Sequence, residues 1–311
     1  MTKIRLALIA GGTSDEREVS LRGAAGVEKE LDPEKYEVVR YDPATDLPRI
    51  ASESANIDVA FLLLHGVNGE DGTIQGFLDL LGLPYQGAGV LGSALAMDKN
   101  LAKTLYKLHG LPVAAWVMLE PSDLKDSGRI LREVGIPCVV KPVRQGSSIG
   151  MSIVREEEQL PGALALALKH DSEVMVEAYI EGRELTVGVI GNKELTPLPL
   201  IEIIPNDQYE FFDYEAKYQP GASTEICPAQ VDEQVRQKAQ EYALVAHRCL
   251  QLRGYSRTDM ILSNGELYLL ETNTIPGMTP TSLFPQAAAE AGINFAKLLD
   301  RLIELALEKP A

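Results

Sequence analysis

Two short acidic clusters, Arg257-Thr-Asp259 and Glu271-Thr-Asn273, hold the side chains best suited to chemistry in this 311-residue chain. Between them runs Met260-Ile-Leu-Ser-Asn-Gly-Glu-Leu-Tyr-Leu-Leu270, which reads as two apolar strands joined at Ser263-Asn264-Gly265. Carboxylate and amide oxygens at the ends of buried strands require a partner, because an unpaired buried charge is costly. Oxygen-only donors suit Mg2+, which takes one or two carboxylates together with substrate phosphates.

The hairpin register decides whether these side chains can act together. A two-residue Asn-Gly loop pairs Ser263 with Glu266 and Asp259 with Leu270, which puts Asp259 and Glu271 on opposite faces. A three-residue loop with Gly265 in the left-handed position pairs Leu262 with Glu266 and Arg257 with Glu271. Arg257, Asp259, Glu271 and Asn273 then share one face. A metal site therefore requires the three-residue loop or an equivalent bulge. The competing reading is a plain cross-strand ion pair between Arg257 and Glu271.

Upstream, Lys141 ends an apolar strand and Gln145-Gly-Ser-Ser-Ile-Gly150 follows it. A cation beside exposed backbone N–H groups can hold a polyphosphate, although the GxxxxGK[ST] spacing is absent and a simple hairpin turn is the alternative. Lys99 is a second candidate cation, or else a solvated helix residue. Glu177, at the end of Val174-Met-Val, and Glu184 could accept hydrogen bonds from an adenine amine and ribose hydroxyls, or merely face water.

The elements that position these residues follow from apolar patterning. Residues 1–97 alternate strand and helix: Ile4–Ala10, a Gly-rich turn, a helix over 16–30, Tyr36–Tyr41, Val59–Leu64 ending at His65, and a helix over Thr73–Leu81. This alternation predicts a parallel sheet covered by helices. Ligands on such sheets sit at the carboxyl ends of strands, where Gly11–Glu16 and His65–Asp71 fall. From Asp98 the pattern changes to a small α+β unit, with helices over Lys99–Leu108, Ser127–Val134 and Glu156–His170 and strands over Val113–Met118, Pro137–Lys141, Ser152–Val154 and Glu173–Glu177. Beyond Arg183 the chain is strand-rich, with Leu185–Ile190, Pro197–Ile204 and the 259–271 hairpin, interrupted by a helix over Glu233–Gln251 and closed by another.

Apolar residues make up 45% and charged residues 24%, as in soluble globular proteins. A net charge of −16 argues against a nucleic-acid surface, which needs a basic face. An anionic substrate must then meet a local basic site. Cys138, Cys227 and Cys249 are few, odd in number and dispersed, which suits a reducing cytoplasm. The apolar start of the chain is short and reads as a first strand. No run of 18 apolar residues occurs, so no membrane insertion is expected.

In chain order, Lys99, Lys141, the loop at 145–150, Glu177, Glu184, Arg257, Asp259, Glu271 and Asn273 resemble the site of an ATP-grasp enzyme. Gly11-Gly-Thr-Ser-Asp-Glu-Arg-Glu-Val-Ser20, His65-Gly-Val-Asn-Gly-Glu-Asp-Gly-Thr-Ile-Gln-Gly76, Asp213-Tyr-Glu-Ala-Lys-Tyr218 and Asn273-Thr-Ile-Pro-Gly-Met278 narrow the resemblance to the D-alanine–D-alanine ligase family, over nearly the whole chain. The segments His65–Gly76 and Asp213–Tyr218 are the most specific.

The resemblance implies an N-terminal Rossmann-like α/β domain (1–97), a central ATP-grasp subdomain (98–182) and a C-terminal ATP-grasp subdomain (183–311) with the metal site and a lid over Pro205–Ala222. It implies that Glu16 binds the ammonium of a first D-alanine, with His65 nearby, and that Ser147 and Tyr218 join Glu16 in a hydrogen-bonded set that closes the site. Lys99, Lys141, Ser148, Glu177, Ile180, Glu184 and Lys217 would bind ATP. Asp259, Glu271 and Asn273 would hold two Mg2+ or Mn2+ ions. Arg257 and the Gly277 N–H would stabilise an oxyanion, and Ser282 and the Leu283 N–H would hold the carboxylate of a second D-alanine. The partners implied are D-alanine, ATP and a second copy of the chain.

Overall fold

The apolar run Ile4–Ile9 is buried at its last four residues, as a strand covered on both faces must be. In the computed structural model, which describes residues 2–119, 130, 132–206 and 223–308, it forms β1. It lies between β2 (Tyr36–Tyr41) and β3 (Val59–Leu62) in a parallel sheet ordered β2-β1-β3. Tyr85 extends this sheet by a parallel bridge to Ala60. The loops after β1 and β3 carry Glu16 and His65 on adjacent strands, so the two residues emerge side by side. Helices Leu47–Glu53 and Val90–Met97 were not anticipated; the latter is short and almost wholly apolar, without a polar face to mark its period.

A four-stranded antiparallel sheet follows, ordered β4 (Trp116–Leu119), β7 (Val174–Ala178), β5 (Cys138–Pro142) and β6 (Ser152–Val154). Helix Lys99–Leu108 begins where expected because Asp98 caps it, accepting from the N–H groups of Asn100 (3.1 Å) and Leu101 (3.0 Å). The helix expected over Glu156–His170 is confined to Leu160–Ala167 after a 3-10 turn, Glu157–Gln159; Pro161 sits in its first turn, where a missing N–H is tolerated. Half of the helix expected over Ser127–Val134, and all but the first two residues of the lid at Pro205–Ala222, fall outside the described residues.

The third sheet is antiparallel, ordered β11 (Ser223–Ile226), β10 (Ile201–Pro205), β8 (Arg183–Gly191), β12 (Gly254–Ser263) and β13 (Glu266–Asn273), with β9 (Thr196–Pro197) pairing on β8. The single strand expected over Pro197–Ile204 is broken into β9 and β10, with Pro199, which cannot donate to a ladder, lying between them. Helices Leu283–Glu290 and Phe295–Leu307 share one apolar core with β1, β3, β8 and β10. Phe284 is fully buried and meets Tyr255 edge to face at 5.3 Å; burying such a ring is worth roughly 3 kcal/mol. The end of the chain thus clamps the N-terminal sheet to the third sheet. No helix among the described residues is long and apolar enough to cross a membrane.

Candidate active site

The β12–β13 hairpin resolves the register by a route other than the expected loop. Ser263 pairs with Glu266 around the two-residue turn Asn264-Gly265, whose φ angles of 50° and 83° are both left-handed. That turn alone would put Asp259 opposite Leu270. Instead the register shifts between Asp259 and Met260: Met260 pairs with Leu269, but Asp259 pairs with Glu271. Leu270 is the extra residue of a β-bulge. Of the two routes the sequence left open, the three-residue loop with its Arg257–Glu271 pairing does not form and the equivalent bulge does; Arg257 lies opposite Asn273. The consequence drawn from them stands, since all four polar residues share one face.

On that face Asp259 is buried and accepts four hydrogen bonds. Arg257 donates two in a fork, from Nε to Oδ1 (2.8 Å) and from a terminal nitrogen to Oδ2 (2.7 Å). Asn273 Nδ2 donates to Oδ2 at 3.0 Å and Thr186 Oγ1 to Oδ1 at 2.6 Å. Lys99 Nζ lies 3.8 Å from Glu271 and donates to the carbonyl of Gln145 at 2.5 Å. The donor set is two opposed carboxylates and one amide. Among the described residues no group of three His, Cys, Asp or Glu side chains is gathered for a metal. Such a set fits Mg2+ or Mn2+ only as part of a shell completed by other oxygens, such as those of phosphates.

Two clefts flank this face. The first opens between the second and third sheets and is lined by Lys99, Lys141, Ser148, Glu177, Ile180, Glu184, Asp259 and Glu271, with Val139, Met151, Ile153, Ile261 and Leu270 as apolar walls. Every expected ATP-binding residue within the described chain is there. Glu177 is not the water-facing edge carboxylate of the alternative reading: it is buried, and it accepts from both Lys141 and Lys103. Burial pushes its carboxyl up, but the two ammoniums outweigh this and hold it down at about 2.

The second cleft is lined by Glu16, His65, Glu70, Ser147, Arg257, Asn273, Gly277, Ser282 and Leu283. Ser147 donates to Glu16, joining two of the three residues expected to close the site. Glu16 stands at the N-terminus of helix Arg17–Glu30 but makes no capping hydrogen bond. Ser147 and Ser148 both adopt left-handed backbone, φ 48° and 59°, and adjacent residues thereby serve different clefts. Burial lowers the pKa of His65, with Arg257 adding to this and Glu16 opposing it, so the imidazole is neutral near pH 7. Ser282 does not cap the helix Leu283–Glu290. Its Oγ accepts from the Thr279 N–H (3.1 Å) and pairs with Thr279 Oγ1 (2.7 Å). The first-turn N–H groups of that helix are therefore not taken up by Ser282, and helix N-termini favour anions. Lys217 and Tyr218 lie outside the described residues.

Three participants escaped the sequence reading. Glu70 links the two halves of the second cleft, accepting from the N–H of Gly66 (2.9 Å) and of Ile275 (3.2 Å). Burial, reinforced by Glu16, raises its carboxyl to about 8. Its place inside His65–Gly76 was the available signal. Thr186 steadies Asp259 from β8, and nothing in its own segment marks it. Lys103 follows Lys99 by four residues, a spacing that puts both on one helix face.

Comparison with known proteins agrees over the whole length. Residues 105–304 match the family model described as D-ala D-ala ligase C-terminus, and residues 42–88 the one described as D-ala D-ala ligase N-terminus. The D-alanine–D-alanine ligase of Desulfotalea psychrophila is 60% identical over 309 residues, covering 99% of this chain and 96% of that protein. That of Syntrophobacter fumaroxidans is 57% identical, with 98% of each covered. Among solved structures, the Bacillus anthracis D-alanine–D-alanine ligase complexed with ATP superposes with a TM-score of 0.86 at 36% identity, covering 99% of this chain and 98% of that one. A D-Ala:D-Ser ligase from Enterococcus faecalis reaches 0.84 at 32% identity, over 98% of this chain and 100% of that one.

Proposed function

This chain belongs to the D-alanine–D-alanine ligase family, and from that premise we propose how its two clefts divide the reaction. The enzyme is an ATP-dependent ligase that joins two D-alanines. The observation that carries the assignment of roles is the shared wall: Asp259 and Glu271 line the first cleft while Arg257 and Asn273, on the same face, line the second. The first cleft takes ATP, with the adenine toward Glu177, Ile180 and Glu184 and the phosphates toward Lys99, Lys141, Ser148 and, from the lid, Lys217. The second takes the amino acids, the first D-alanine by its ammonium on Glu16 near His65. Tyr218 joins the Glu16–Ser147 pair as the lid closes. The second D-alanine is held by its carboxylate on Ser282 and the Leu283 N–H.

The first D-alanine carboxylate attacks the γ-phosphate, giving an acyl phosphate and ADP. Two anions must meet, so the wall has to cancel repulsion. Arg257, Lys99 and Lys141 supply cationic partners, and positioning with electrostatics accounts for most of catalysis in such transfers. Asp259, Glu271 and Asn273 would hold the Mg2+ or Mn2+ ions, which when bound neutralise charge on the transferring group. The amine of the second D-alanine then attacks the acyl carbonyl, Arg257 and the Gly277 N–H stabilise the oxyanion, and phosphate leaves. The dipeptide serves peptidoglycan precursor synthesis in the cytoplasm. The chain divides into three parts in this reading: 1–97 for the amino acids, and 98–182 and 183–311 as the two ATP-grasp subdomains. The exposed Leu80, Val90 and Leu91 support a homodimer through helices Thr73–Leu80 and Val90–Met97.

The test is product analysis with D-alanine, D-serine and D-lactate offered together with ATP. D-alanyl-D-alanine as the main product supports the assignment; a mixed dipeptide or a depsipeptide as the main product overturns the acceptor.

A further inference from the structure

Lys103 is a charged side chain without solvent exposure, and the reaction as described does not use it. Its ammonium is enclosed. One side meets Glu177 Oε2 and another faces the Trp116 ring, 5.6 Å from its centroid. Trp116 is itself fixed by its indole N–H on Asn100 Oδ1 (2.9 Å), one turn back on the same helix as Lys103. Lys141 and Glu177 line the first cleft, but Lys103 does not. It stands behind Glu177 and is out of reach of any ligand in that cleft.

Glu177 therefore has two cations of different character. Lys103, from helix Lys99–Leu108, sits on Oε2; Lys141, from β5, sits on Oε1 at the cleft wall. Among the described residues these two are the charged groups set against it; its direct neighbours across the sheet are Trp116 and Val139. If Lys141 were the sole partner, turning it toward phosphates would leave a buried carboxylate unpaired, which is strongly unfavourable. With Lys103 behind, the carboxylate keeps a countercharge while Lys141 moves. An ionised Oε1 accepts from the amine of a 6-aminopurine and repels the carbonyl of a 6-oxopurine.

We propose that Lys103 is a positioning residue: it keeps Glu177 ionised and aimed into the cleft, frees Lys141 for the phosphates, and thereby sets the preference for ATP over GTP. This rests on the assignment of the first cleft to ATP. The test compares the full-length wild type with Lys103→Met, Glu177→Gln and the double variant, measuring ATP, GTP and D-alanine kinetics from pH 6 to 9. Losing support for one charge-assisted hydrogen bond, Lys103→Met should raise the ATP KM about tenfold or more. The D-alanine KM should hold, the ATP/GTP ratio of kcat/KM should fall, and both defects should deepen toward pH 6 as Glu177 takes up a proton. Lys103→Met with the wild-type ATP KM, nucleotide ratio and pH profile overturns the proposal.

Glu177→Gln separates the two levels. If it too leaves ATP use unchanged, the assignment of the cleft fails; if it impairs ATP use while Lys103→Met does not, only the role of Lys103 fails. Should Lys103→Met fold poorly, the double variant decides. Glutamine needs no countercharge, so adding Lys103→Met to Glu177→Gln should change the ATP KM and nucleotide ratio no further. A further rise in the ATP KM or a further fall in the ratio means that Lys103 acts independently of Glu177 and overturns the proposal.

Discussion

Asp259 and Glu271 face each other directly across β12 and β13 because Leu270 is looped out of register as a bulge. Without that one residue's displacement the two carboxylates would project from opposite sides of the sheet. Asp259 is locked by Arg257, Asn273 and Thr186, so its carboxylate has one orientation. Asp259→Asn should lower kcat about a hundredfold, the scale of losing one preorganised electrostatic contact. It should also raise the Mg2+ concentration needed for half-maximal rate. Magnesium titrations of both proteins check this, and an unchanged requirement would remove Asp259 from the metal site.

Glu16 and Ser147 come from different sheets, 131 residues apart, and meet over the second cleft. Glu16→Gln should raise the KM for the first D-alanine by about tenfold to a hundredfold, the range for one charge-assisted hydrogen bond, and leave ATP binding intact. Calorimetric ATP titration alongside D-alanine kinetics checks the split. Equal damage to both ligands would make Glu16 a structural residue.

The parallel sheet and the helix Lys99–Leu108 were legible because they rest on local apolar period; most cleft residues, among them Glu16, Ile180, Ser282 and Leu283, were legible only through the family resemblance, because they come together from distant segments. A bulge was one of the two routes open to the hairpin, but its position did not show, since Leu269-Leu270 continues an apolar run and nothing local marks which residue is extra. Lys103 and Glu177 were also out of reach as a pair: they lie 74 residues apart, and only packing of the helix against the second sheet joins them. Thr186 was hidden for the same reason.

The raised carboxyl of Glu70 makes stability depend on pH. Its ordinary value is 4.5 and its folded value about 8. Between these the folded chain holds the extra proton, so this contribution is complete below pH 4.5 and is lost as pH rises toward 8. Thermal midpoints from pH 5 to 8.5 should fall more steeply for the wild type than for Glu70→Gln. Parallel curves would show that Glu70 is not the group responsible.

A methyl group on Gly277 would come within 3.1 Å of Ser282 Oγ, tight enough to displace that hydroxyl from Thr279. Gly277→Ala should therefore fold normally and lower kcat/KM for the acceptor D-alanine about tenfold, the cost of disturbing a hydrogen bond to a charged carboxylate. Ser282→Ala should give a similar loss, and the two combined should lose less than the product of the separate effects. Fully additive losses would mean that Gly277 acts apart from Ser282.

The central claim is that the wall formed by Arg257, Asp259, Glu271 and Asn273 brings a D-alanine carboxylate to the γ-phosphate of ATP. D-Alanine labelled with oxygen-18 in its carboxylate tests it most directly. If the carboxylate attacks phosphorus, each released phosphate carries a single labelled oxygen, and the new peptide carbonyl keeps the other one from the first D-alanine. Unlabelled phosphate released in step with dipeptide would contradict the account, because no acyl phosphate could then have formed.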